Sequence, residues 1–247
     1  MHQQRAERQG QRAERQGQRV AVITGASQGL GLALARALAA DGWSVVIDAR
    51  DATRLAETEV LLAAAASAGA RVLAVAGDVS DPAHRDALAA HARALGPVQL
   101  LVNNASTLGA SPLPAIDEIT VDVLHRIFAV NVIAPLALVR TLAGDFAPTP
   151  TVIDITSDAA VEPYPGWGGY GASKAALEHA SAILAAEHPE WRVLVVDPGD
   201  MRTEMHQDAF PGEDISDRPP PDDSVPGLMA LIDGDFPSGR YHARGVV

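Results

Sequence analysis

The sequence predicts one α/β domain built on a doubly wound parallel sheet. From Val20 onward, short runs rich in Val, Ile and Leu alternate with longer Ala/Leu-rich segments of helical period. The short runs are almost continuously apolar, which is typical of parallel strands that helices cover on both faces. Strands and helices that alternate in this way form a doubly wound fold. The 247 residues, 47% of them hydrophobic, suffice for one such domain with a sizeable core.

The hydrophobic pattern places each element along the chain. Six strands are expected over residues 20–24, 44–48, 71–76, 99–103, 151–156 and 192–197. Five helices are expected over residues 30–40, 53–68, 82–95, 121–142 and 172–188. After a proline-rich loop at 219–223, a short helix over 225–232 and a strand over 240–243 are expected to complete the sheet.

Composition removes several classes of function. Acidic residues outnumber basic ones by 31 to 19, so the net charge of −12 repels phosphate backbones and no nucleic acid partner is expected. The chain has no cysteine, which excludes disulfides, thiolate nucleophiles and cysteine-based metal sites. No run of about 18 uninterrupted apolar residues is present, so we expect no membrane span and a cytoplasmic protein. The eight histidines lack carboxylate partners at ligand spacing, so no metal site is expected.

Residues 1–19 differ from the rest of the chain. They hold five Arg and two Glu, and the segment 4–10 recurs unchanged as 11–17. The seven-residue period carries no Leu, Ile or Val at any position, so it cannot form a coiled-coil seam. We predict a charged, flexible extension over 1–19 followed by the domain 20–247. A basic arm that binds an acidic surface is the alternative.

A glycine-rich turn over residues 24–31 joins the first predicted strand to a helix. Gly25 permits a tight turn, Gly29 lets the backbone approach a pyrophosphate, and Gly31 allows the helix to pack closely on the strand. The start of the helix presents unpaired N–H groups and a positive dipole end to an anion. The turn therefore predicts a dinucleotide site, with a purely structural turn as the alternative. The residues expected to contact the dinucleotide here are Gly25, Ser27, Gln28, Gly29, Leu30 and Gly31.

The glycine spacing, G-x-x-x-G-x-G, resembles that of the short-chain dehydrogenase/reductase family in its single-domain form. The resemblance implies a Rossmann-like fold with its dinucleotide on this turn. Asp78, followed by Val79 after the third strand, is similar to the family aspartate that hydrogen-bonds the adenine ring. Asn104 and Ala105 match part of the family's Asn-Asn-Ala-Gly motif after the fourth strand, with Ser106 in place of the final glycine.

The end of the second strand bears on which coenzyme is expected. An acidic residue there binds the free ribose hydroxyls of NAD, whereas an arginine accommodates the 2′-phosphate of NADP. In the family, the acid usually stands at the position of Ala49 and the arginine at that of Arg50, so the resemblance favours NADP(H) over NAD(H). A register shifted by one residue would bring Asp48 to the ribose and favour NAD. Alternatively, Asp48 and Arg50 merely cap and solvate the strand end.

The reacting groups are predicted around a Tyr-x-x-x-Lys pair. Tyr170 and Lys174 are four residues apart and therefore project from one face of a helix. Ser157 precedes Tyr170 by thirteen residues, as in the family, and Asn131 takes the position of the family's fourth catalytic residue. The resemblance implies that Ser157 orients the substrate oxygen and that Asn131 anchors a water linking Lys174 to solvent.

These residue types suit the interconversion of carbonyls and alcohols. Reduction by hydride requires a proton for the new alkoxide, and oxidation requires that proton to be removed. Free tyrosine has a pKa of about 10, so a nearby ammonium and the positive nicotinamide of the oxidised coenzyme are expected to lower the pKa of Tyr170. The chain has 18 arginines and one lysine, which is Lys174. Because arginine holds its proton too strongly to relay it, this placement favours a functional ammonium over a solvated helix charge.

Two further segments are predicted to complete the site. Pro198 and Gly199 end the sixth strand and Thr203 follows; in the family this turn packs beside the nicotinamide and the threonine can hydrogen-bond its carboxamide. Asp158 and Glu162 could form an acid/base pair, although a position at the pocket mouth or in solvent is favoured. Candidates for an apolar substrate wall are Pro163, Tyr164, Pro165, Trp167, Met201, Met205 and Phe210.

The resemblance covers about residues 20–207 and predicts an NAD(P)(H)-dependent oxidoreductase that interconverts a carbonyl and a secondary alcohol of small size. Members commonly assemble through their two long helices, so a homodimer or homotetramer is expected. One alternative is a nucleotide-sensing or scaffold protein without turnover, and another is an enzyme for epimerisation or dehydration. Nothing is carried over beyond 207, where Ser238-Gly239-Arg240-Tyr241 replaces the family's terminal Asp-Gly-Gly.

Overall fold

All seven strands of the central sheet run parallel, in the order β3-β2-β1-β4-β5-β6-β7. The computed structural model describes residues 19–246, so residues 1–18 of the predicted extension lie outside the described residues. The strands are β1 (Val20–Ile23), β2 (Ser44–Ala49), β3 (Val72–Ala76), β4 (Val98–Asn103), β5 (Phe146–Ile155), β6 (Arg192–Asp197) and β7 (Gly239–His242). The doubly wound parallel sheet is therefore confirmed. β5 starts earlier than expected because Phe146 already pairs with Val98 of β4.

Helices cover both faces of this sheet. In the described part of the chain they are α1 (Gly29–Ala40), α2 (Ala52–Ala65), α3 (Pro82–Arg93), α4 (Val121–Leu142), α5 (Gly168–Glu187), α6 (Glu204–Ala209) and α7 (Val225–Asp233). Alternate residues of β1 enter different apolar clusters. Ala21 and Ile23 pack with residues of α1 and α7, whereas Val20 and Val22 pack with residues of α3 and α4. This burial on both faces explains why the strands are almost continuously apolar.

Helix α4 contains a feature that the sequence pattern did not predict, a π-helical turn over Ala129–Ile133. Such turns are rare and occur often at functional sites. Asn131 lies in this turn and is completely buried. By length and composition alone α4 could cross a membrane, but within this fold its residues Ile127, Leu138 and Leu142 are fully buried.

The strand order reverses at β1, which lies between β2 and β4. Connections from the carboxyl ends of neighbouring strands diverge at such a point and leave a crevice, which is where open α/β sheets bind ligands. The glycine turn after β1 and the loops after β4, β5 and β6 all contribute residues to one cleft at this edge. The fold thus brings the predicted site segments together although they are spread over most of the chain.

Candidate active site

The cleft has a volume of about 1340 Å³ and holds nearly all of the predicted site residues. Those that line it are Gly25, Ser27, Gln28, Gly29, Leu30, Arg50, Asp78, Val79, Asn104, Ala105, Ser157, Tyr170, Lys174, Pro198, Gly199 and Thr203. Two predicted residues, Gly31 and Asn131, stand behind the wall of the cleft. Both support residues that do line it.

The glycine turn has the shape that close approach of a phosphate requires. Gly25 has a φ of +67°, and a Cβ there would lie 2.8 Å from the Cα of Ala105. A Cβ on Gly31 would collide with the Gly25 carbonyl and lie 2.6 Å from Nδ2 of Asn104. Gln28 at the start of α1 makes no side-chain capping bond, so the first N–H groups of α1 are not satisfied by that side chain. These groups border the cleft and suit a pyrophosphate.

Asp48 has a structural role at the end of β2. Its Oδ1 accepts a 2.6 Å hydrogen bond from the N–H of Gly25, and its Oδ2 lies 3.0 Å from Nε2 of His84. Asp48 and His84 are both buried. Asp48 therefore does not solvate the strand end, and His84 has a carboxylate partner that the sequence analysis did not expect. Arg50, two residues further on, is exposed at the rim of the cleft.

Asp78 lies in the part of the cleft near Arg50. Its Oδ1 accepts hydrogen bonds from the backbone N–H and the hydroxyl of Ser80, at 2.8 and 2.7 Å. Burial alone would raise the pKa of Asp78, but the bonds from Ser80 and the charge of Arg50 lower it below its usual value. A carboxylate acceptor is thus maintained where the resemblance implies the adenine ring.

Tyr170 and Lys174 are brought together on α5, as predicted. Their exposed fractions are 8% and 2%, and Lys174 Nζ lies 5.5 Å from the centroid of the Tyr170 ring. Lys174 donates a 2.8 Å hydrogen bond to the carbonyl oxygen of Ile155. The hydroxyls of Ser106 and Ser157 lie near the phenol of Tyr170 and favour its ionised form. A phenol, an amine and two hydroxyls therefore meet at the inner end of the cleft.

The pKa of Tyr170 moves in the direction opposite to the one expected. Burial raises the pKa of the phenol, and the carboxylates of Asp197 and Asp158 raise it further, while Ser106 and Ser157 partly oppose this. The prediction that its pKa is lowered is wrong for the protein alone, because desolvation outweighs the neighbouring donors. Burial also lowers the pKa of Lys174 to about 8, although two nearby carboxylates favour its charged form.

Asn131 holds the loop after β4 against α5. Its Oδ1 accepts bonds from the Thr107 N–H (2.8 Å) and the Ser106 hydroxyl (3.2 Å). Its Nδ2 donates to the Thr107 carbonyl (2.9 Å) and to Oγ of Ser173 (3.0 Å). The side chain of Asn131 therefore fixes Ser106, whose hydroxyl lies near the phenol of Tyr170.

Ser157 is hydrogen-bonded to its neighbour Asp158, and both residues line the cleft. Oγ of Ser157 donates to Oδ1 of Asp158 (2.9 Å), and the hydroxyl of Tyr164 donates to Oδ2 (3.0 Å). Asp158 is exposed and lines the cleft, in agreement with the position favoured from the sequence. The apolar wall predicted from the sequence lines the same end of the cleft, with the exception of Pro163. Its members are Tyr164, Pro165, Trp167, Met201, Met205 and Phe210.

Two residues at the site were missed by the sequence analysis. Ser106 lies near Tyr170, and the serine that replaces the family's glycine was the available signal. Arg240 reaches the carbonyl of Ser157 from β7, at 3.3 Å. No motif or spacing pointed to Arg240, because the last strand is far away in sequence and unlike the family there.

The chemistry of the cleft fits a dinucleotide. Within residues 19–246, no group of three or more His, Asp or Glu side chains is placed to hold a metal. The glycines of the turn, the start of α1, the Asp78 acceptor and the exposed Arg50 match phosphates, an adenine and a ribose. A buried Tyr–Lys pair at the far end of such a cleft places the protein among dinucleotide-dependent oxidoreductases with a Rossmann-like fold.

Comparison with known proteins identifies the family. The profile of the short chain dehydrogenase family matches residues 19–214. The chain belongs to this family and is an NAD(P)-dependent oxidoreductase. An uncharacterized oxidoreductase of Methylorubrum extorquens is 32% identical over 229 residues, which cover 87% of this chain and 90% of the relative. The sepiapterin reductase of Mus musculus is 34% identical over 200 residues, which cover 76% of each chain.

A solved structure shows the same architecture. The alcohol dehydrogenase of Thermococcus sibiricus, in complex with 5-hydroxy-NADP, superposes with a TM-score of 0.81. It is 26% identical in sequence, and the match covers 92% of this chain and 96% of that protein. The similarity in fold therefore extends over nearly the whole described chain.

Proposed function

We propose that the protein interconverts a small carbonyl compound and a secondary alcohol with NADP(H), and that Tyr170 is the general acid/base. The observation that carries this proposal is the position of the Tyr170 phenol. It is buried at the inner end of a dinucleotide-shaped cleft, near the hydroxyls of Ser106 and Ser157 and beside the amine of Lys174. When bound, the coenzyme supplies or accepts the hydride.

The protein's own residues handle the proton and the orientation of the substrate. In reduction, Tyr170 donates its phenolic proton to the carbonyl oxygen as that oxygen becomes an alcohol. Burial keeps this proton on the phenol at neutral pH, because the pKa of Tyr170 is raised. Lys174 offsets the charge of the phenolate left behind and can hold the ribose hydroxyls next to the nicotinamide. Ser157 turns its hydroxyl from Asp158 to the substrate oxygen and orients it.

The preference for NADP(H) rests on the two side chains at the end of β2. Asp48 is bonded within the protein through both carboxylate oxygens, to the N–H of Gly25 and to His84, which ties it to the fold of the turn. Arg50 is exposed at the rim and suits a 2′-phosphate. The T. sibiricus enzyme, whose structure holds 5-hydroxy-NADP, supports the same choice.

We further propose that the chain is a soluble, cytoplasmic homodimer or homotetramer. Ile133 and Leu136 of α4 and Ile183 of α5 are exposed large apolar residues on the two long helices. Association through these helices would cover them, and it accounts for the apolar character of α4 without a membrane.

A panel of carbonyl compounds, followed by NADPH absorbance, tests the proposed function. The wild-type protein is expected to consume NADPH with at least one member of the panel, faster than it consumes NADH. Tyr170→Phe is expected to slow this consumption by a factor of about 10² to 10⁴ because the proton donor is lost. Consumption at the wild-type rate after the substitution would remove Tyr170 from its proposed role.

A further inference from the structure

The edge strand β7 places one guanidinium against three parts of the proposed active site. Arg240 pairs in register with Val195 of β6, and its side chain is partly buried. Its Nε donates to Oε1 of Glu178 at 3.0 Å, and its Nη2 lies 3.1 Å from Oδ2 of Asp197. The same Nη2 lies 3.3 Å from the carbonyl oxygen of Ser157. Arg240 thus contacts α5, the end of β6 and the segment that carries Ser157.

The two carboxylates that Arg240 holds both face the proton-transfer pair. Asp197 lines the cleft and opposes ionisation of Tyr170, whereas Glu178, one turn after Lys174 on α5, favours the charged amine. The side chains of Asp197 and Glu178 are largely buried, at 4% and 17% exposure, so their charges are weakly screened by solvent. A single cation between them therefore limits the negative potential at the site.

We propose that Arg240 is a positioning residue for the reaction. Its guanidinium neutralises Asp197 and Glu178 and fixes the Ser157 carbonyl, and so sets the proton affinity of Lys174 and Tyr170 from outside the cleft. This inference rests on the proposed function, since it assigns Arg240 a part in the same proton transfer. Lysine could not replace it, because a compact ammonium cannot make three divergent hydrogen bonds in a fixed plane.

Other charged groups lie near the same residues and also influence the pKa values of Lys174 and Tyr170. Lys174 is also near the buried carboxyl of Asp154 on β5, and Tyr170 is also near Asp158. His242 on β7 lies with Nδ1 3.4 Å from Asp197 and with Nε2 3.0 Å from Nη1 of Arg240. Arg240→Gln is therefore measured both with His242 intact and together with His242→Gln, which shows whether the imidazole compensates for the lost guanidinium.

The single lysine makes a direct test possible. In the full chain labelled with 13C-lysine, one side-chain signal reports the titration of Lys174, with no turnover required. In Arg240→Gln the pKa of Lys174 is expected to rise by about 0.5 to 1 unit from its wild-type value, since a cation is lost and two carboxylates are unpaired. The pH above which the rate of carbonyl reduction falls is expected to rise by the same amount. Glu178→Gln is expected to lower the pKa of Lys174.

Arg192→Gln is the matched control. Arg192 bonds Thr151 and backbone carbonyls at the opposite end of β6 from the cleft, so its loss removes a guanidinium without changing charge at the site. The pKa of Lys174 is expected to stay at the wild-type value in this variant. If Arg240→Gln does not fold, Glu178→Gln is compared with the double variant Arg240→Gln/Glu178→Gln, in which the pKa of Lys174 is expected to be higher.

An unchanged pKa of Lys174 in the Arg240 variant would overturn the inference. So would a changed pKa of Lys174 with no change in the pH dependence of carbonyl reduction. The same holds if the double variant and Glu178→Gln titrate alike. Failure of the proposed function is distinguishable, because Tyr170→Phe alone decides it and the lysine titration is independent of turnover.

Discussion

Lys174 Nζ lies 5.5 Å from the centroid of the Tyr170 ring, and both side chains are almost fully withdrawn from solvent. Desolvation acts on the two groups in opposite directions, because it disfavours the phenolate of Tyr170 and the ammonium of Lys174. The pair therefore holds a phenol over a wide pH range and an amine that loses its proton near pH 8. These protonation states determine how the rate should depend on pH.

Carbonyl reduction is expected to be nearly constant at neutral pH and to fall as the pH passes about 8. The phenol of Tyr170 keeps its proton throughout this range, whereas Lys174, with its pKa lowered to about 8, loses the charge that stabilises the phenolate. Alcohol oxidation is expected to rise with pH, because it needs the phenolate. The measurement is kcat/KM in both directions from about pH 6 to about pH 10.

Lys174→Arg provides the control for this profile. Arginine stays charged over the whole range, so the fall near pH 8 should disappear even though the overall rate is lower. A wild-type reduction rate that increases through pH 8 would contradict the assignment of Lys174.

Arg50→Gln is expected to raise the Kd for NADPH about tenfold, or ~1.4 kcal/mol, and to leave NADH binding nearly unchanged. The reason is that Arg50 is exposed at the cleft rim, where it would meet only the 2′-phosphate. Fluorescence titration with both coenzymes measures this. Arg93→Gln, which breaks an ion pair with Asp145 and does not line the cleft, serves as the control.

The same titration tests the alternative in which Asp48 binds the ribose and favours NAD. We expect Asp48→Asn to weaken the binding of both coenzymes to a similar extent. Asp48 holds the Gly25 turn, which both coenzymes would use. A selective loss of NADH binding in this variant would instead make Asp48 the ribose ligand.

Asp158→Asn is expected to improve kcat/KM for carbonyl substrates that carry a carboxylate by about fivefold relative to neutral ones. The exposed Asp158 lines the substrate end of the cleft and repels anions there, an effect of about 1 kcal/mol in a water-accessible site. Glu162→Gln is the matched control, since Glu162 is a nearby exposed carboxylate that does not line the cleft. If Asp158→Asn instead abolished turnover of every substrate, the acid/base pair of Asp158 and Glu162 would become the better explanation.

Ile133→Asp is expected to dissociate the homo-oligomer, with an increase of at least about tenfold in its dissociation constant. A charge at the centre of an apolar helix contact would be buried without a partner. Size-exclusion chromatography with light scattering gives the mass. Val60→Asp is the control, because Val60 on α2 is 72% exposed against 58% for Ile133 but lies away from the two long helices. Equal masses for wild type and Ile133→Asp would reject this interface.

Most of the fold followed from local patterns in the sequence. The continuous apolar runs that gave β1 and β6 reflect burial on both faces, which any parallel sheet imposes. The π-helical turn at Asn131 could not be predicted, because it depends on how α4 packs against the loop after β4 rather than on helical periodicity.

Some residues of the site could likewise be predicted from the sequence, and others could not. Gly25, Tyr170 and Lys174 belong to short motifs whose spacing fixes their geometry, so they could be placed from the sequence. The contact between Asp48 and His84 could not be predicted from the sequence, nor could the contact between Arg240 and Ser157. Both depend on segments that are distant in the chain. The direction of the pKa shift at Tyr170 was mispredicted because the extent of burial becomes visible only in the folded protein.

The most direct test of the account is a single-turnover measurement of NADPH oxidation by Tyr170→Phe beside Tyr241→Phe. Tyr241 is a suitable control because its hydroxyl donates to the carbonyl of Pro237 and it does not line the cleft. We predict that Tyr170→Phe is slower by a factor of about 10² to 10⁴ while it binds NADPH as tightly as the wild type, and that Tyr241→Phe reacts normally. Equal single-turnover rates for the two variants would show that Tyr170 does not transfer the proton.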